Sequence, residues 1–163
     1  HYLFDIDYDK IEVYLHRESI VHSLVQYCDH AVMAQLGSAD MRLPIQYALT
    51  HPNRYPLKNS EALDLAKIGC LHFEKVDFER YPLLRLAYEM GRREGNACAI
   101  MNAANEEAVA LFLAGKIAFL DIERYVFKAV ESIEFIENAT LEEILQSDAK
   151  ARAFVNEAVK GAI

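Results

Sequence analysis

Apolar and polar residues alternate with period two through roughly the first forty positions, and the spacing changes to that of helices afterwards. Ile11-Glu12-Val13-Tyr14-Leu15 has the alternation of a strand, as do Ser19 to Tyr27 and Ala31 to Leu36. With Cys28-Asp29-His30 between them, the last two predict a β-hairpin. Asp40 is placed to cap a helix from Met41 to about Leu49, which Pro52 prevents from continuing. The stretch from His51 to Val76 loses periodicity, carries Pro52 and Pro56, and predicts a long connection with one helical turn at Leu63 to Ile68.

Helical spacing then dominates. Asp77 is expected to cap a helix running to Glu94, with Gly95 as its left-handed stop, and Asn96 to open a second that ends at Gly115. Asp121 starts a third, to about Ile133. Thr140-Leu141-Glu142-Glu143 has the form of a capping box for a short helix, and Asp148 to Val159 predicts the last. The fold class is therefore α+β: a hairpin-containing part over residues 1–50, a linker over 51–76, and an antiparallel helical bundle of four-helix type over 77–163.

Composition narrows the classes of function. A chain of 163 residues, 53 % apolar and without an apolar run of membrane-spanning length, is a globular protein of one or two domains that does not sit in a membrane. The formal charge of -8, with lysines and arginines scattered among acids, argues against nucleic acid as a partner. Cys28, Cys70 and Cys98 are odd in number and far apart, which suggests neither a disulfide framework nor a zinc site and fits a reducing cytoplasm. Since the chain opens on His1, the natural start is expected upstream.

Chemistry-bearing residues gather around the hairpin. His16, Glu18 and His22 would share a face of a continuous strand, as metal ligands do, but a charged strand end with no fourth donor accounts for them more simply. Ser19 and His22 suggest a nucleophile and base, yet their odd spacing puts them on opposite faces and no nucleophile elbow surrounds Ser19. Met41, just inside a helix N-terminus, is a polarizable side chain suited either to a flat ring or to ordinary packing. Arg42 suits an acid of the protein or an anionic ligand. Asn102, Asn105 and Glu106 fall on one face of an apolar helix and predict a polar clasp between helices or domains.

Several motifs in one order carry a family resemblance. His16-x-x-Ser19-x-x-His22-Ser23 is followed by Ala34-Gln35-Leu36-Gly37-x-x-Asp40-Met41-Arg42-x-Pro44-Ile45 and by Pro52-Asn53-Arg54. Phe73-x-x-x-Asp77-x-x-Arg80-Tyr81-Pro82, Asn102-Ala103-Ala104-Asn105-Glu106 and Phe119-x-Asp121-Ile122 come next. Together they resemble the 1-deoxy-D-xylulose 5-phosphate reductoisomerases over essentially the whole chain. The resemblance implies an NADPH-dependent enzyme of non-mevalonate isoprenoid biosynthesis, using Mg or Mn to convert its phosphosugar substrate to 2-C-methyl-D-erythritol 4-phosphate.

It also implies that this chain corresponds to the C-terminal portion: the end of the α/β catalytic domain over 1–50, the linker, and the C-terminal helical domain. The family's glycine-rich cofactor loop, its metal-binding carboxylates and its Asn-Lys-x-x-Glu motif would all precede His1. No G-x-G-x-x-G opens a helix here, in agreement. Ser19, His22 and Met41 match positions near the bound substrate and nicotinamide, where they would shape and orient. No catalytic residue and no metal ligand is expected within the chain, nor tight NADPH binding or turnover by it alone. The runner-up function is a non-catalytic packing module whose hairpin contributes to a homodimer. Two positions depart from the family pattern: Arg17 and Ala39 stand where proline is common.

Overall fold

A computed structural model describes residues 1–161, and these divide into two compact units. Residues 13–76 form one. Its strands are β1 (Tyr14–Leu15), β2 (Val21–Gln26), β3 (Val32–Leu36) and β4 (Glu74–Lys75), and its helices are α1 (Arg42–Thr50) and the single turn α2 (Leu65–Ile68). β2 and β3 are the antiparallel hairpin, with Gln26 opposite Val32. β1 pairs with β4, Tyr14 opposite Lys75 and Leu15 opposite Glu74, and so fastens the end of the supposed connection to the residues before the hairpin. α2 is capped by Asp64, whose carboxylate accepts the Lys67 amide.

The other unit comprises residues 1–12 and the described residues from 77 onward. It contains α3 (Pro82–Arg93), α4 (Ala97–Leu113), α5 (Asp121–Ser132) and α6 (Leu141–Lys160). α4 is central and packs on the other three. Its alanines allow this: Ala103, Ala104 and Ala108 are fully buried, so neighbouring helices approach closely and Val126 and Val155 fill the space between them. Asn96 is the polar part of this core. Its amide donates to the Glu134 carbonyl and the Ser147 hydroxyl while its side-chain oxygen accepts the Ile136 amide. Gly95, at φ +56°, lies against the same loop: a β-carbon there would fall 2.3 Å from the Ile136 carbonyl oxygen.

The first residues of the chain dock on α3. Tyr8 lies in the notch left by Gly91, the Tyr88 hydroxyl donates to the Ile11 carbonyl at 2.9 Å, and Arg92 pairs with Asp9.

Several expectations are corrected. α3 begins at Pro82, not after Asp77, because proline fits the first helical position and holds the residue before it out of helical geometry. Asp77 instead caps a turn, accepting the Glu79 and Arg80 amides. The capping box at Thr140 and Glu143 forms, but it opens one long helix in place of two. Asp148 lies inside that helix and pairs with Arg152 one turn on. The five-residue strand expected at Ile11 to Leu15 shortens to Tyr14–Leu15. By contacts alone, residues 51–76 associate with the hairpin and residues 1–12 with the helices.

Candidate functional site

The rim of residues 16–42 is shaped by an irregularity in the hairpin. Val21 pairs with Leu36 but Ser23 pairs with Gln35, so β2 spends two steps where β3 spends one and His22 is the extra residue. Such a bulge bends a strand and re-aims its side chain. The imidazole Nε2 of His22 lies 3.3 Å from the Gly37 carbonyl, and the Gly37 amide donates to Ile20 at 3.0 Å. Gly37 is therefore where His22 and Leu43 of α1 converge; a β-carbon added there would meet both at 3.8 Å.

Below the hairpin, β1–β4 pairing brings His16 to Phe73 and His72. The His16 ring stacks on Phe73 at 4.6 Å and is almost fully buried. Its Nε2 accepts the amides of Ile20 and Val21 at 3.2 Å each, which places the ring proton on Nδ1. Nδ1 in turn lies 2.9 Å from the His72 carbonyl and 3.1 Å from the Glu18 carboxylate. His16 thus fixes the entry into β2, with Nε2 taken up by two backbone amides and Nδ1 shared between a backbone carbonyl and the Glu18 carboxylate. Glu18 takes hydrogen bonds from both the ring and the amide of His72. The His72 ring bond holds the Glu18 carboxyl down to about 2, helped by backbone amides.

Ser19 sits between these features with φ +52°, its amide donating to the His16 carbonyl and its side chain exposed. Met41 stands at the N-terminus of α1 and is 68 % exposed, so ordinary core packing does not explain it. Beside it Asp40 accepts both the Arg42 amide and the Arg42 guanidinium. That guanidinium, then the amide, lowers the Asp40 carboxyl below its usual range. Arg42 is accordingly held by an acid of the protein. Arg17, at one departure from the family pattern, pairs at 3.6 Å with Glu74 of β4.

His16 and Glu18 are brought together, but His72 is the third member where a metal-like trio would have used His22. Among the described residues no three His, Cys, Asp or Glu side chains form a metal-holding set. Ser19 neighbours His16 while His22 faces Gly37. The predicted polar clasp joins α4 to α6: Glu106 accepts from Arg152 and from Asn102, and Glu107 accepts from Asn156. A groove of about 370 Å³ lies elsewhere, between β3, α1 and the segment of Arg54, whose guanidinium covers the Tyr47 ring at 3.9 Å.

These elements describe an α+β chain in which a helical bundle accompanies a hairpin-built rim. The DXP reductoisomerase C-terminal domain model matches residues 36–154, and the chain belongs to that family. It is 57 % identical over 155 residues to the 1-deoxy-D-xylulose 5-phosphate reductoisomerase of Geobacillus sp. (strain WCH70), covering 95 % of this chain and 41 % of the relative. The enzyme of the same name from Lysinibacillus sphaericus (strain C3-41) is 56 % identical over 98 % of this chain and 42 % of its own length.

Among solved structures, the reductoisomerase from Zymomonas mobilis in complex with NADPH superposes with a TM-score of 0.87 at 41 % identity, over 96 % of this chain and 41 % of that one. A DOX-P reductoisomerase in complex with NADPH, fosmidomycin and magnesium also gives 0.87, at 38 % identity over 97 % and 41 %. The chain thus spans about two fifths of the length of the relatives it matches.

Proposed function

We propose that the chain supplies one wall of the active site of an NADPH-dependent 1-deoxy-D-xylulose 5-phosphate reductoisomerase, a soluble cytoplasmic enzyme of isoprenoid biosynthesis. Residues 1–50 are the end of its catalytic domain, 51–76 the linker and 77–163 its helical domain. The observation that carries this is an exposed Met41 at the start of α1, together with a His22 re-aimed by the hairpin bulge, in a chain of this family. A polarizable side chain left uncovered at a helix start suits the face of a nicotinamide, which NADPH supplies as the hydride donor. Ser19 and His22 line the phosphosugar side. Their contribution is position, worth more to the reaction than any charge they carry.

The dinucleotide and the divalent metal are held by parts of the enzyme other than these 163 residues, and the chain alone is inactive. Following NADPH oxidation with the phosphosugar and Mg or Mn present tests this directly. No turnover above background is expected from the chain. Substrate-dependent oxidation would overturn the assignment. A second role has its own support: Val25 and Met33, paired across the hairpin and so on one face of it, leave more than half of their surface uncovered, an apolar patch suited to a homodimer. Sedimentation of the chain should then show association that Met33→Lys abolishes.

A further inference from the structure

Outside the rim residues matched to the family, one cluster combines a nucleophile, a base and a carboxylate. Cys70 is exposed, and its Sγ lies 3.8 Å from Nε2 of His72. The other ring nitrogen of His72, Nδ1, is bonded to the Glu18 carboxylate, so the carboxylate fixes the proton on Nδ1 and leaves the Nε2 lone pair toward the thiol. Thiol, imidazole and acid stand in the order by which nucleophilic cysteines are activated. The arrangement does not depend on sequence neighbours alone, because Glu18 is brought from the other side of the β1–β4 ladder. The remaining cysteines lack this setting. Cys28 is exposed in the hairpin turn, and burial raises the thiol of half-buried Cys98.

We propose that Cys70 is a modification site that exchanges with low-molecular-weight disulfides, with His72 as the proton acceptor and Glu18 as the group that positions it. His72 Nε2 takes the thiol proton, and the Cys70 thiolate attacks one sulfur of the disulfide. The new bond joins Cys70 to that sulfur as the reagent's own sulfur–sulfur bond breaks. The departing thiolate recovers the proton from His72 and leaves as a free thiol. Cys70 is oxidised to the mixed disulfide and half of the reagent is reduced. The adduct then stands beside the His72 ring, on the side opposite the Glu18 carboxylate that also meets His16.

The test is site-resolved labelling of the full chain with 2-hydroxyethyl disulfide, an uncharged probe, followed by peptide mass analysis. Cys70 is expected to react about tenfold faster than Cys28, with Cys98 slowest. His72→Gln and Glu18→Gln should bring Cys70 down to the rate of Cys28 while leaving Cys28 itself unchanged, which also reports that the hairpin is intact. Dithiothreitol should release the adduct. Equal rates at Cys70 and Cys28 in the unaltered protein would overturn the proposal without recourse to any variant. So would a Cys70 rate that neither substitution alters.

Discussion

The two units of this chain solve the problem of burial differently. In the helical unit α4 is surrounded, with Ala103, Ala104 and Ala108 at zero exposure and Asn96 satisfied by three bonds. In the 13–76 unit Ile20 is the one apolar side chain among the described residues that is buried, and the rest of its order comes from backbone pairing and polar ties. A unit built on packing can hold its shape unaided. A unit built on His16, Glu18, His72, Asp40 and Arg42 leaves its apolar residues free for something else to cover, which is what an active-site wall and a subunit contact require.

The largest effect is expected in the packed unit. Asn96→Ala removes three hydrogen bonds, leaving the half-buried Ile136 amide and the Glu134 carbonyl without the side-chain amide that joins them, while the Ser147 hydroxyl keeps its bond to the Glu143 carbonyl. Leaving such groups unpaired should cost about 3 kcal/mol, read by urea unfolding of the helices. A loss below about 0.5 kcal/mol would mean that the helical core does not depend on its polar centre. Ile20→Ala comes next, at about 2 kcal/mol, because the lost side chain leaves a void next to His16. Its signature should be lost amide protection in β2 and β3. Unchanged protection there would break the contrast, since the hairpin would then stand without its one buried anchor.

Gly91→Ala is smaller. Its β-carbon would fall 2.4 Å from the Tyr8 ring, so the N-terminal arm must shift, at about 1 kcal/mol. Limited proteolysis within residues 1–12 should accelerate, with α4 to α6 still resistant. Resistance of the arm equal to that of the unaltered chain would show that Tyr8 moves aside freely.

Much of the packed unit was legible because its signals are local. The Thr140–Glu143 box, the Gly95 and Gly115 stops and the start at Asp121 each lie within one turn of the element they bound. Where two local signals competed, chemistry decided: Pro82 overrode Asp77, and Asp148 found Arg152 inside a helix that contains no breaking residue. Asn96 was recognised as a helix opening, but its side chain serves the loop before α6, a partner about forty positions away. The rim was less legible for the same reason. His72 reaches Glu18 through two paired residues on each of β1 and β4, too short a ladder to leave a period. The bulge at His22 is a register shift, and alternation alone does not register one.

Acid is the mildest perturbation and the one that separates the units without altering a residue. Glu18 titrates at about 2 in the folded chain against an ordinary 4.5, so its bond to His72 stabilises the fold fully above about 4.5 and is lost as pH falls toward 2. Asp40 is lowered by Arg42 and follows the same sign in the same unit. The helical unit also holds depressed carboxylates, Glu106 through Arg152 and Asn102, and Glu143 through the Thr140 amide and hydroxyl. Protonating those weakens a clasp and a cap but leaves the interior between α4, α5 and α6 untouched. Amide exchange at about pH 3 compared with about pH 6 should therefore show the Ile20 and Val21 amides opening while the middle of α4 stays protected. If α4 opened first, polar ties and not packing would be the stronger support in this chain, and the contrast between its units would be reversed.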